Sequence, residues 1–143
     1  MTHAEQADFV ERFADVWANP TPDRLLGLLH PEVRLVQPLE GEIVGHVAAR
    51  AFWERLFETM PDLRGEVLRW AGSEDLLLIE ERLHGTLGGQ PVDWVTADHI
   101  RLEDGLVRER IARFDPTPLL VAGLRAPRTW PALVRARLGR RRA

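Results

Sequence analysis

The sequence predicts an α+β domain in which N-terminal helices lie on one face of an antiparallel sheet. Three observations predict it. Apolar residues recur at helical spacing in three stretches before residue 60. From residue 64 onward the period drops to two and stays there through four long runs. Gly/Asp turns join those runs, and helices followed by a strand meander segregate onto one face of a sheet.

The first helix covers residues 5–18. Phe9, Val10, Phe13, Val16 and Trp17 form its stripe, with Glu5, Asp8, Glu11 and Asp15 elsewhere. Asn19-Pro20-Thr21-Pro22 stops it. Asp23 or Thr21 then caps a short helix through Leu25, Leu26, Leu28 and Leu29, which His30-Pro31 ends. Val33 to Gln37 alternates as a strand and breaks at Pro38. Gly45 precedes a third helix over 46–59, with Phe52, Trp53, Leu56 and Phe57 as its buried stripe. After Met60-Pro61-Asp62 come strands at 64–71, 75–87, 91–102 and 106–114. Gly88-Gly89 suits a tight hairpin, and Glu103-Asp104-Gly105 a three-residue loop ending on a left-handed glycine.

At 143 residues the chain fits one domain and can bury roughly 70 % of its unfolded surface. It contains no lysine, tyrosine or cysteine, and Ser73 is its one serine. Schiff-base chemistry, a P-loop and thiol nucleophiles are thereby excluded, and a serine triad would rest wholly on Ser73 in a turn-like segment. Carboxylates, five histidines, arginines, threonine hydroxyls and backbone amides remain. Any enzyme built from them runs on acid/base chemistry without a cofactor. No HxxxH or HxH pattern is present, so no metal site is expected. His46 reads as a helix-start residue and His99 as an outward one. The start lacks a signal-peptide pattern and no apolar run approaches a membrane span, so the expected home is the cytoplasm, with no integral membrane contact.

Charge divides the chain. Residues 1–117 hold twelve arginines and all twenty-two acids, a net of −10, whereas the remainder holds seven arginines and no acid. The expected organisation is a domain over 1–117 and a basic extension over 118–143, partly helical, with Trp130, Leu133, Val134 and Leu138 among its arginines. That extension can dock on the acidic body. No nucleic-acid partner is expected.

Alternation also orients the strands. With Leu87 opposite Gln90, Ile79 faces Asp98 and Glu81 faces Thr96. With Leu102 opposite Leu106, Asp98 faces Arg110 directly; a two-residue turn at Asp104-Gly105 would instead set Ile111 opposite Asp98. The first register puts Glu81, Asp98 and Arg110 on one inward face among apolar side chains. Burial and a second carboxylate raise a carboxyl's pKa while a guanidinium lowers it, so such a group can separate a proton donor from a base. The alternative is a buried ion pair that only orients the sheet.

Gly89-Gln90-Pro91, then Asp98-His99-Ile100-Arg101-Leu102, then Glu103-Asp104-Gly105 resembles the final hairpins of ketosteroid isomerases and SnoaL-like polyketide cyclases. The order of helices, the strand ending Gln37-Pro38, and Pro61-Asp62-Leu63 agree, over residues 5–117. The resemblance implies the cone-shaped cystatin-like or nuclear transport factor 2-like fold, an apolar small molecule in its pocket, and a homodimer through the outer sheet face. Asp98 matches the protonated aspartic acid of the isomerases, but their tyrosine falls at Phe13 and their general base at Gln37. Neither can do that work, so ketosteroid isomerisation by that route is not expected. Limonene epoxide hydrolase, related in fold, uses two aspartates and an arginine, a set similar in composition to Glu81, Asp98 and Arg110.

The expected assignment is therefore Asp98 as acid, Glu81 as base and Arg110 as electrostatic partner in a cyclase, isomerase or epoxide hydrolase. Phe13, Trp17, Trp53, Trp94 and Phe114 would line the pocket, with Thr96 and an orienting Gln37 beside them. The alternatives are a non-catalytic hydrophobic-ligand binder and a dimerising scaffold whose pocket is packed shut. A cavity separates the scaffold from the other two.

Overall fold

The computed structural model describes residues 1–131, Val134 and Arg135. Helix α1 (His3–Ala18) begins with a capping box. Thr2 Oγ1 accepts from the Glu5 amide and the Glu5 carboxylate accepts from the Thr2 amide, satisfying two N-terminal donors. Its stripe buries Phe9, Val10, Phe13, Val16 and Trp17 against the sheet; each such aromatic contributes roughly 1.5–3 kcal/mol by leaving water. Helix α2 (Pro22–Leu26) is capped by Thr21, whose side chain accepts from the Arg24 amide.

Strand β1 (Leu29–Gln37) and the short β2 (Gly41–Val44) form a hairpin. The strand starts four residues earlier than alternation indicated. Pro31 falls in an irregular stretch between Leu29 and Arg34, where it interrupts no ladder bond. Helix α3 (Gly45–Thr59) packs on β1 and β2. Then follow β3 (Arg64–Gly72), β4 (Leu77–Leu87), β5 (Gln90–Glu103) and β6 (Leu106–Arg113). The sheet order is β2-β1-β6-β5-β4-β3, a curved, unclosed sheet with α1 and α3 against it. One pairing departs from the antiparallel expectation: β1 runs parallel to β6, because the chain between them supplies the crossover that a parallel pair requires. The architecture is the mixed α+β one that the sequence predicts.

The β4–β5 register is the expected one, with Leu87 opposite Gln90, Glu81 opposite Thr96 and Ile79 opposite Asp98. The β5–β6 register is not. Asp98 lies opposite Ala112, and Arg110 lies opposite Ile100. Asp104 and Gly105 make a two-residue turn in the left-handed region, at φ 53° and 72°, which fits the strand twist. Alone it would turn Arg110 to the other face. A bulge at Arg108 of β6, opposite the Arg101–Leu102 step, adds one residue and restores the facing. Arg110 and Asp98 thus meet diagonally, within reach of a long side chain.

After β6 the chain enters helix α4 (Thr117–Arg125) and a 3-10 turn (Pro127–Thr129). α4 packs on β5 and β4, so the first part of the basic extension lies against the domain. Leu133, Leu138 and the closing arginines of the expected tail helix lie outside the described residues. Among the described residues no helix is long and apolar enough to cross a membrane.

Candidate functional site

The inner face of β4, β5 and β6 brings four polar side chains together in an otherwise apolar interior. Glu81 comes from β4, Thr96 and Asp98 from β5, and Arg110 from β6. All four are buried, Glu81 and Asp98 completely. Arg110 Nε donates to Asp98 Oδ2 at 2.7 Å and Arg110 Nη2 lies 2.6 Å from the same oxygen. Thr96 Oγ1 donates to Asp98 Oδ1 at 3.0 Å. Both oxygens of Asp98 accept, which suits the anionic partner of an arginine and leaves no acceptor placed for a donated proton.

Glu81 is different. Its Oε2 is 3.9 Å from Arg110 Nη2, beyond hydrogen-bond range, and neither oxygen has a partner. Burial drives its pKa well above the ordinary carboxylate range; Arg110 opposes the shift and the charge of Asp98 adds to it. The sequence makes room for this neutral acid. A Cβ at Gly65, across the β3–β4 ladder, would meet Glu81 Oε1 at 2.1 Å and Trp17 Cβ at 3.1 Å. Asp98 is therefore the carboxylate bonded to Arg110, whereas burial favours the protonated form of Glu81.

This assignment sets a pH dependence. A carboxyl whose folded pKa lies above its unfolded value near 4.5 keeps its proton in the native state after the unfolded chain has lost it. Stability then falls as pH rises from that value toward the folded pKa, by about 1.4 kcal/mol per pH unit. Glu81→Gln, neutral at every pH, lacks this slope. Denaturant melts at a series of pH values should show the variant gaining on the wild type from pH 4.5 upward; a constant difference contradicts a protonated Glu81.

Arg110 also sits 6.0 Å from the Phe13 ring and 5.8 Å from the Trp17 ring, measured from Cζ to the centroids. Two aromatic faces and one carboxylate hold the guanidinium in place. Above it opens a cavity of about 740 Å³, within the usual range for small-molecule sites. A pocket packed shut is thereby overturned.

Of the side chains expected at the site, Trp17, Gln37, Trp53, Trp94, Thr96, Arg110 and Phe114 line this cavity. Phe13, Glu81 and Asp98 do not; they stand behind Arg110 and Trp17 and hold them. Sequence reasoning missed two sets of wall residues. Glu40 and Arg55, 3.9 Å apart, line the wall that carries Gln37. Leu119, Leu120, Leu124 and Trp130 come from the extension, where leucines at 120 and 124 were a readable helical pair.

The remaining histidines lie elsewhere. His46 bonds the Leu29 carbonyl oxygen at 3.0 Å and ties α3 to β1. His30 comes within 4.8 Å of Glu103 and Asp104, counted between possible ligand atoms, a cluster sequence spacing concealed. His30 Nδ1 already accepts from the Glu32 amide, and Arg108 lies 3.2 Å from Glu103, so the group is occupied by its own contacts. Leu78 and Val95 are exposed on the outer sheet face, the face that the expected homodimer would bury.

Fold and site together define a mixed α+β fold whose internal cavity has an aromatic wall carrying the Arg110 guanidinium. Residues 10–110 match the SnoaL-like domain family, and the chain belongs to it. Among solved structures, a protein described as a SnoaL-like polyketide cyclase from Jannaschia sp. CCS1 shares 24 % identity at a TM-score of 0.72, over 83 % of this chain and 91 % of its own. AclR, described as a hydroxylase from Streptomyces galilaeus, shares 21 % identity at 0.71, over 84 % and 96 %. A protein described as an LEH-like epoxide hydrolase from M. tuberculosis shares 16 % at 0.70, over 89 % and 95 %. At these identities the likeness is one of fold. No curated protein matches the chain.

Proposed function

We propose that the protein binds an apolar, oxygen-bearing small molecule in this cavity and acts on it by acid/base chemistry of the cyclase, isomerase or epoxide hydrolase kind. One observation carries the reading: the buried Arg110 guanidinium, with the Thr96 hydroxyl beside it, is set in an aromatic cavity wall and balanced from behind by Asp98. These reactions develop negative charge on an oxygen, and a preorganised donor in a dry site stabilises that charge far better than water does. Arg110 is the electrostatic group, Asp98 positions it, and Glu81 holds a proton 3.9 Å from its Nη2. Glu40, the carboxylate that lines the cavity, takes the role of base that the sequence reading gave to Glu81. The absence of cysteine agrees with a cytoplasmic home.

Native mass spectrometry of the purified protein, followed by assay of whatever small molecule it carries, tests this. Glu40→Gln should bind that molecule with unchanged affinity and turn it over at least about a hundredfold more slowly. Saturable binding with no product from the wild type would establish the second reading, a non-catalytic ligand carrier. The position of Asp98 and Glu81 behind the cavity wall favours that reading.

A further inference from the structure

The C-terminal segment presents a surface that the pocket reading does not use. α4 turns its small residues inward, where Ala122, Gly123 and the following Ala126 are buried. Its large aliphatic side chains face out: Leu120 is 50 % exposed, Leu124 69 %, and Trp130 beyond them 47 %. These three also line the cavity, so the exposed apolar patch is the rim of its mouth. Charge singles out the same segment. Seven arginines and no acid follow residue 117, against a net of −10 before it, and Arg125, Arg128 and Arg135 are exposed.

We propose that this segment is a peripheral docking surface for an anionic lipid bilayer, holding the mouth of the cavity against the membrane interface. Exposed leucines and an indole partition into the boundary between headgroups and acyl chains, while guanidinium groups pair with lipid phosphates. A nucleic acid would engage the arginines but has no use for exposed aliphatic side chains at 120, 121 and 124. The acidic body is repelled by an anionic surface, so the charge division turns the extension toward the bilayer. An apolar ligand dissolved in the bilayer then has a short path into the cavity.

Co-sedimentation of the full chain with phosphatidylcholine vesicles, with and without phosphatidylglycerol, tests the surface and needs no ligand in the cavity. Its outcome is therefore separate from that of the pocket reading. Binding is expected to the anionic vesicles and not to phosphatidylcholine alone, and to be lost at high salt. Each arginine near an anionic surface contributes about fivefold to partitioning, so Arg125→Gln with Arg128→Gln should weaken binding at least about tenfold. Far-ultraviolet circular dichroism of the double variant should match the wild type. Absence of binding to both vesicle types, equal binding to both, or vesicle binding unchanged in the double variant would overturn the proposal. So would tighter binding to a short RNA than to anionic vesicles at the same salt.

Discussion

Arg110→Met is expected to destabilise the fold by about 3–5 kcal/mol and to abolish ligand binding in the cavity. The stability loss comes from Asp98, whose Oδ2 loses both of its arginine donors while remaining fully buried. An unpaired buried carboxylate costs far more than the pair contributes, since the pair had already lost its hydration. A companion variant separates folding from function. Arg110→Met with Asp98→Leu removes both charges and should recover most of the stability, because apolar replacement of a buried pair is often neutral or favourable. It should not recover ligand binding. Chemical denaturation and tryptophan fluorescence read the two quantities independently. Recovery of binding in the double variant would show that the guanidinium is a structural strut only.

Asp98→Asn has the second largest expected effect, and its result is a redistribution of charge. The amide can still accept from Arg110, but the guanidinium no longer faces an anion at 2.6 Å. Glu81, at 3.9 Å from Nη2, becomes the nearest group able to supply one. Removing the Asp98 charge also removes one of the causes that raise the Glu81 pKa, leaving Arg110 to lower it against burial. The variant should keep its fold, losing about 1.5–3 kcal/mol for the weakened charged hydrogen bonds. Its Glu81 carboxyl, followed by carbon-13 NMR, should titrate at lower pH than in the wild type. Turnover should be lost, because Arg110 is drawn toward Glu81 and away from the cavity. Unchanged turnover would remove Asp98 from the catalytic account.

These expectations rest on a placement that was partly legible beforehand. Helical spacing in α1 and α3 and alternation in β4 and β5 were strong because each element turns one apolar face to the interior, although Leu56 and Phe57 of α3 are only partly buried. The Leu87–Gln90 turn then set Glu81 and Asp98 on one side without ambiguity. Arg110 was harder. Its facing depends on a turn of two residues and a bulge of one, two errors of parity that cancel, and no residue type near Arg108 announces the bulge. The division of roles between Glu81 and Asp98 was hard to read for a similar reason. Sequence alone shows that two acids and one base share a face, but not that one acid lies 2.6 Å from the guanidinium and the other 3.9 Å. Glu40 escaped because it sits on a turn, and the α4 leucines because their helix follows the Asp115-Pro116 break, outside the domain bounds read from charge. The parallel pairing of β1 with β6 leaves no local pattern at all.

A crystal structure of the protein with its co-purifying small molecule bears most directly on whether the Arg110 guanidinium is where the chemistry happens. An oxygen of that molecule within hydrogen-bond distance of Arg110, with its apolar body among Trp17, Trp53 and Trp94, is the expected result. A molecule seated in the cavity with only carbon facing Arg110, or bound outside the cavity altogether, would contradict it.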